Sequence, residues 1–174
     1  MVTAYIALGA NLGDAIAALQ QAVAAISILP KCAVKKTSSL YKTEPLETLQ
    51  GHAPGDNYIN AVVEIETSLP APTLLQYLQQ IELAAGRTRP HINAPRTLDL
   101  DLLLYGSGCI DSPQLTLPHP RMWRRAFVLV PLAEIAPHLV NTAQIDAVKN
   151  QKITKVAGNL TLLAASPKGC HTNP

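Results

Sequence analysis

The sequence predicts an α+β fold, a single domain in which an antiparallel sheet carries helices packed on it. Three observations lead there. Short runs rich in β-branched and aromatic residues read as strands, and two longer stretches with apolar residues at helical spacing separate them. A length of 174 residues with 48% hydrophobic and 15% charged residues suits one hydrophobic core.

Residues 2–9, VTAYIALG, are short and apolar enough for a buried strand. Asn11 is placed to cap a helix running from Leu12 to Leu29, in which Ile16, Leu19, Val23 and Ile26 share a face before Pro30 stops it. Gly9 and Gly13 permit the tight strand-to-helix turn. Residues 33–43, AVKKTSSLYKT, suit a strand with one wet face. Pro45, Gly51, Pro54 and Gly55 make 44–57 a long loop, and YINAVVEIET at 58–67 alternates like a half-buried strand. Pro72 fits the first turn of a helix whose stripe is Leu74, Leu75, Leu78, Ile81 and Leu83, ending at Gly86. RTRPHINAPRT at 87–97 is a second long loop. LDLDLLLYG follows as a strand ending at Gly106, then the proline-rich LTLPHPRMW and a helix from about Arg125 to Ala136. The order β-α-β-β-α-β is that of the ferredoxin-like βαββαβ arrangement. The domain is expected to span 1–160, with a weakly periodic C-terminal stretch and 161–174 as a disordered tail.

Composition closes off several classes. No apolar run approaches the ~20 residues of a membrane helix, and the N-terminus lacks the pattern of a secretory signal. Cys32, Cys109 and Cys170 are odd in number and widely spaced, fitting neither a disulfide framework nor a zinc site. A cytoplasmic protein with no membrane partner is the expectation, and a monomer, since nothing in the pattern marks an interface. All six arginines fall between 87 and 125 and all eight lysines lie outside that window. Guanidinium is favoured where phosphate is bound in a planar, bidentate manner, so a phosphate-rich ligand is favoured over a merely solvated basic face.

The strongest chemical signal is Asp99-Leu100-Asp101. On a strand both carboxylates project from one face while Leu98, Leu100 and Leu102 line the other. Paired carboxylates in an apolar strand need positive charge between them, from Mg²⁺ or arginine. The alternative is a half-exposed strand face bearing surface charges. No GxxxxGK[ST] loop is present, and GANLGD at 9–14 is not a dinucleotide fingerprint, so phosphates are left to arginines and metal. His119, between Pro118 and Pro120 and near Arg121, Arg124 and Arg125, can donate to a phosphate oxygen or simply hydrogen-bond within its loop. Tyr58 and Asn60 share a strand face, and Phe127 follows the arginine cluster. An aromatic beside an amide suits a flat heterocycle, as it also suits ordinary core packing.

LGANLGD, SSLYKTEPL, DNYINAVVEIET, QQIELAAGRTR, APRTLDLDLLLYG and LTLPHPRMWRRAFVLVPLAEIAP, in this order over roughly residues 3–138, closely resemble the hydroxymethyldihydropterin pyrophosphokinase family. The resemblance implies a ferredoxin-like fold and transfer of diphosphate from ATP to 6-hydroxymethyl-7,8-dihydropterin, giving AMP and the pterin diphosphate for folate biosynthesis. It implies that Asp99 and Asp101 hold two Mg²⁺ ions. The pterin would lie between Tyr58 and Phe127, its polar edge read by Asn60 and by the backbone around Thr43, Pro45 and Leu46. Gln79, Glu82, Leu102 and Thr116 would stand at the nucleotide. Arg87 and Arg96 would bind phosphates in the catalytic step, with Arg89, His119 and Arg125 assisting. Where many relatives carry a segment like RWGPR, this chain has Ile92-Asn93-Ala94-Pro95-Arg96, without the tryptophan and glycine. Both long loops would act as lids that exclude water.

Two rivals use the same residues. A metal-dependent phosphoesterase would hydrolyse ATP without a pterin. A ferredoxin-like RNA-binding module would use the basic window, but its strands would need interleaved aromatics, and aromatics are only 4% here. No nucleic-acid partner is expected.

Overall fold

The computed structural model describes residues 1–44, 57–86 and 97–160, the last with backbone alone at 157–159. Most of both expected lid loops, at 45–56 and 87–96, and the expected tail at 161–174 lie outside the described residues.

The described chain runs β1 (Val2–Ala10), α1 (Ala15–Ser27), β2 (Cys32–Thr37), β3 (Ser39–Thr43), β4 (Tyr58–Thr67), α2 (Ala71–Ala84), β5 (Asp99–Tyr105), β6 (Ile110–Asp111), β7 (Thr116–Leu117), α3 (Ala126–Ile135), α4 (Thr142–Val148) and β8 (Ile153–Asn159). It is one α+β domain. The main sheet is antiparallel throughout, ordered β5-β1-β4-β3-β8 with β2 also on β4, and β6–β7 form a separate hairpin.

β1 and β4 are central strands covered on both faces, which is why their runs are nearly continuously apolar. On one face Ile6, Leu8, Leu100 and Leu102 pack with Leu19 and Ile26 of α1 and Leu74 and Leu78 of α2. On the other, Tyr5, Ala7, Val62 and Leu103 pack with Val128 and Leu132 of α3. A register shift in the β1–β5 ladder at Tyr5/Ile6 leaves Leu103 as the extra residue, and the adjacent Leu103 and Leu104 both pack against the α3-side core. Leu98, Leu100 and Leu102 all face the α1–α2 side, as their spacing predicts.

Two expectations are corrected. The cap of α1 is Asp14, whose side chain accepts from the Ala17 N–H, rather than Asn11, which is buried; Gly13, at φ 61°, makes the preceding turn. The strand expected over 33–43 is broken at Ser38. Its N–H donates to the Val62 carbonyl and its hydroxyl accepts from the Val62 N–H, so β2 and β3 pair in succession with the one long strand β4. The weakly periodic stretch after 140, inside the expected domain span of 1–160, holds α4 and β8. Asn141 and Gln144 cap α4 reciprocally, and β8 adds an edge strand against β3. A seven-residue helix and an edge strand are too short and too exposed to give strong periodicity.

Glu134 of α3 fastens these late elements. Its carboxylate accepts from the Ser39 N–H (3.0 Å), the Ser39 hydroxyl (2.6 Å), the Tyr41 hydroxyl (2.9 Å) and Lys155 Nζ (3.3 Å). Burial opposes its charge, but these donors outweigh burial and hold its pKa below the usual value. Burial and the same carboxylate raise the Tyr41 phenol to about 12.

Candidate active site

Cross-strand register assembles the site. Asp99 lies opposite Gly9 in β1, Gly9 opposite Asn60 in β4, and Asn60 opposite Tyr41 in β3. Directly opposed residues share a face, so one row reads acid, gap, amide. The gap is Gly9. A Cβ built there would stand 3.2 Å from Asn60 Oδ1. Gly9 has no positive φ and lies inside β1, so it leaves room on the sheet face, while Gly13 alone serves the turn.

One row along, Asp101 faces Ala7, which faces Val62, and α3 covers the sheet from there. The acids, Asn60 and Tyr58 therefore share the α3 side of the sheet, where Phe127 packs at the margin of the core. Asn60 is buried, and its Nδ2 donates to Thr43 Oγ1 at 2.9 Å, which fixes the amide's orientation and turns Oδ1 towards the Gly9 gap. Arg125 Nη1 lies 3.7 Å from Asp101 Oδ2, and its guanidinium carbon sits 5.3 Å from the centroid of the Phe127 ring. One arginine thus ties Asp101 to the aromatic.

β5 is the edge strand on the β1 side, and beyond it the β6–β7 hairpin and α2 enclose a cleft of about 260 Å³. Gln79, Asp101, Leu102, Thr116 and His119 line it together with Leu75, Leu100, Leu115 and Pro120, among others. Asp101 belongs to both the cleft and the sheet-face row, which makes the strand edge the junction between two subsites. Glu82 is buried at the end of α2, and its Oε1 accepts the Leu100 N–H at 2.8 Å, between the two aspartates. It anchors the strand that presents them.

His119 is half-buried. Its backbone N–H donates to the Leu103 carbonyl, and its Nδ1 accepts from the Arg121 N–H at 3.3 Å, leaving Nε2 as the protonated nitrogen of the neutral ring. Burial lowers its pKa. Asp101 and, more weakly, Asp99 oppose that shift, while Arg125 and Arg121 add to it. The ring is therefore a neutral donor among charges at neutral pH.

Of the residues singled out from sequence, Asp99, Asp101, Asn60, Thr43, Tyr58, Phe127, Arg125, His119, Gln79, Glu82, Leu102 and Thr116 occupy this sheet face, its margins or the adjoining cleft. Pro45, Leu46, Arg87, Arg89 and Arg96 lie outside the described residues. Sequence reasoning missed Leu75, one turn before Gln79 on the same helix face, and the role of Gly9. The i, i+4 spacing to Gln79 was the available signal for the first.

Among the described residues no cluster of three or more His, Cys, Asp or Glu is built to hold a metal. The two aspartates nonetheless fit Mg²⁺, which commonly binds through one or two carboxylates and completes its shell with water and substrate phosphate.

Fold and site together define an α+β domain in which a sheet edge joins a cleft to a face bearing acids, an amide and aromatics. The 7,8-dihydro-6-hydroxymethylpterin-pyrophosphokinase (HPPK) family model matches residues 5–137. The chain is 49% identical over 140 residues to the 2-amino-4-hydroxy-6-hydroxymethyldihydropteridine pyrophosphokinase of Haemophilus influenzae, covering 80% of this chain and 85% of that one. It is 46% identical over 140 residues to the Bacillus subtilis enzyme of the same name, covering 80% and 81%. The chain belongs to the 7,8-dihydro-6-hydroxymethylpterin-pyrophosphokinase family. In structure it is similar to an HPPK-DHPS solved in complex with substrates, with a TM-score of 0.60 at 11% identity, covering 85% of this chain and 42% of that chain. A Plasmodium falciparum HPPK-DHPS gives 0.59 at 14%, covering 85% and 45%. This chain thus spans less than half of those longer chains, and at such identity the likeness speaks to fold alone.

Proposed function

We propose that this chain transfers the β,γ-diphosphate of ATP to 6-hydroxymethyl-7,8-dihydropterin, giving AMP and the pterin diphosphate used in folate synthesis. The observation that carries the assignment of subsites is the row Asp99–Gly9–Asn60. With strands about 4.8 Å apart, the acid and the amide are separated by roughly 10 Å. That span suits a bicyclic heterocycle whose polar edge meets Asn60 and whose hydroxymethyl arm reaches the acid side.

Phosphoryl transfer needs in-line positioning and charge neutralisation more than covalent help. The cleft beside Leu102, Gln79 and Thr116 receives the nucleotide, so its phosphates run along β5 toward Asp101 and His119. Nε2–H of His119 and the Arg125 guanidinium donate to phosphate oxygens. Arg87, Arg89 and Arg96, with Arg87 and Arg96 closest to the reacting group, complete the charge balance. Asn60 and Thr43, with the backbone of Pro45 and Leu46, orient the pterin, and Tyr58 and Phe127 flank its ring. The hydroxymethyl oxygen bonds to the β-phosphorus, the bond from that phosphorus to the α,β-bridging oxygen breaks, and AMP departs. The hydroxyl proton passes to water. Asp99 and Asp101 would hold Mg²⁺, two ions in the full site, which supplies neutralisation of the triphosphate charge. The strand order β5-β1-β4-β3 supports the ferredoxin-like reading of the core, with β2 and β3 as one interrupted strand.

AMP formation with ATP and Mg²⁺, measured with and without the pterin, tests this reading. AMP made only when the pterin is present supports it. Pterin-independent release of ADP or phosphate would turn the assignment to a phosphoesterase.

A further inference from the structure

Arg125 pairs with Asp101 and lies against Phe127, and its carbonyl accepts the Val128 and Leu129 N–H groups at the start of α3. It is the cap residue of α3, no side chain of its own caps that helix, and its backbone is extended, at φ −124° and ψ 113°. In an extended residue the preceding carbonyl and the following N–H point to the same side. Both are met by one side chain. Gln151 Nε2 donates to the Arg124 carbonyl at 2.9 Å, and Gln151 Oε1 accepts the Ala126 N–H at 2.9 Å. The amide pairs with the chain on either side of Arg125 as a neighbouring strand would.

Gln151 is itself held in place. Its N–H donates to the Val148 carbonyl at 3.0 Å, and Val148 and Ile153 pack in a small core with Ala126 and Leu129. Ile153 in turn pairs with Thr43 in the β3–β8 ladder, and Lys152 bridges to Glu44 at 3.1 Å. The segment 148–153 therefore fastens both the Arg125 turn and the end of β3. It lies beyond residues 5–137, the span matched by the family model.

We infer that Gln151 is a positioning residue for Arg125, and that the C-terminal segment sets the phosphate-side geometry through this one amide. The inference rests on the reading of Arg125 as a phosphate ligand. Gln151→Met keeps the bulk of the side chain and removes both hydrogen bonds. Gln151→Ala serves as a second variant, with thermal melts confirming that each variant folds. Each is combined with Arg125→Ala in a double-mutant cycle on two readouts. The first is kcat/KM for pterin-dependent AMP formation, and the second is the affinity for Mg²⁺ with α,β-methylene-ATP.

Loss of this pair is expected to lower kcat/KM and nucleotide affinity about fivefold in the wild-type background. It should have no further effect once Arg125 is gone. An unchanged Gln151 variant would overturn the inference, and so would a fivefold fall that persists in the Arg125→Ala background. If the unaltered protein makes no pterin-dependent AMP, the proposed reaction fails separately. The nucleotide-binding cycle still decides whether Gln151 acts through Arg125.

Discussion

Gly9→Ala separates room on the sheet face from stability of the sheet. Gly9 has no positive φ, so alanine is allowed there, and reducing the freedom of the unfolded chain favours it by about 0.5–1 kcal/mol. Against this stands a contact. The new methyl would lie 3.2 Å from Asn60 Oδ1, and Asn60 cannot swing away without loosening its 2.9 Å bond to Thr43. A shift of a few tenths of an ångström at a buried hydrogen-bonded amide costs about 1 kcal/mol. The two effects nearly cancel, so the melting temperature should move by no more than about 3 °C. Pterin recognition has no such compensation. The methyl stands in the row between acid and amide, and displacing one hydrogen-bonded edge of the heterocycle loses about 1.5–3 kcal/mol, or roughly 10- to 100-fold in affinity. Because the cleft proposed for the nucleotide lies across β5, KM for ATP should change less than about twofold. Steady-state kinetics varying each substrate, with a thermal melt on the same preparations, supply the test. A pterin KM within twofold of the parent, or a parallel rise in both KM values, would refute the role given to Gly9.

Asp99→Asn and Asp101→Asn should each lower pterin-dependent AMP formation by at least about 100-fold, with melting temperatures held near the parent. Fluorescence titration of the pterin would show whether binding survives the loss of turnover. His119→Ala, which removes the neutral Nε2 donor, should raise KM for ATP about three- to tenfold and leave that for the pterin unchanged. Glu134→Gln should destabilise the fold by about 1 kcal/mol at neutral pH, since it replaces a partly solvent-screened carboxylate accepting from four donors. Because the Glu134 pKa is depressed in the fold, its contribution is whole above the ordinary value of 4.5 and is lost as pH falls through the lower folded value. Tyr41, raised from 10.0 to about 12, contributes fully below pH 10 and loses its contribution as pH climbs towards 12. Thermal melts across pH should therefore show a constant gap between parent and variant from about pH 6 to 9, closing on the acid side.

Local patterns in the sequence carried the central elements of the fold and the acidic strand of the site. A two-residue period placed Asp99 and Asp101 on one face and Leu98, Leu100 and Leu102 on the other, because a strand allows no other arrangement. Apolar spacing over more than ten residues marked α1 and α2 for a similar reason. The family motifs likewise lie within single elements or their immediate turns.

Tertiary structure decided whatever depends on which strands become neighbours. The row from Asp99 through Gly9 to Asn60 joins residues 90 and 51 positions apart, and no local period records that register. The break at Ser38 is set by Val62, and the anchoring of Leu100 by Glu82 on another element. The C-terminal segment shows this most clearly. A seven-residue helix and an edge strand have too little local pattern to announce themselves. They are held by contacts made at a distance, with β3, with Glu134 and through Gln151 on either side of Arg125. Side-chain period is a property of a strand or helix taken alone, whereas register, packing and the pairing of a glutamine with a distant turn exist only once the chain has closed on itself.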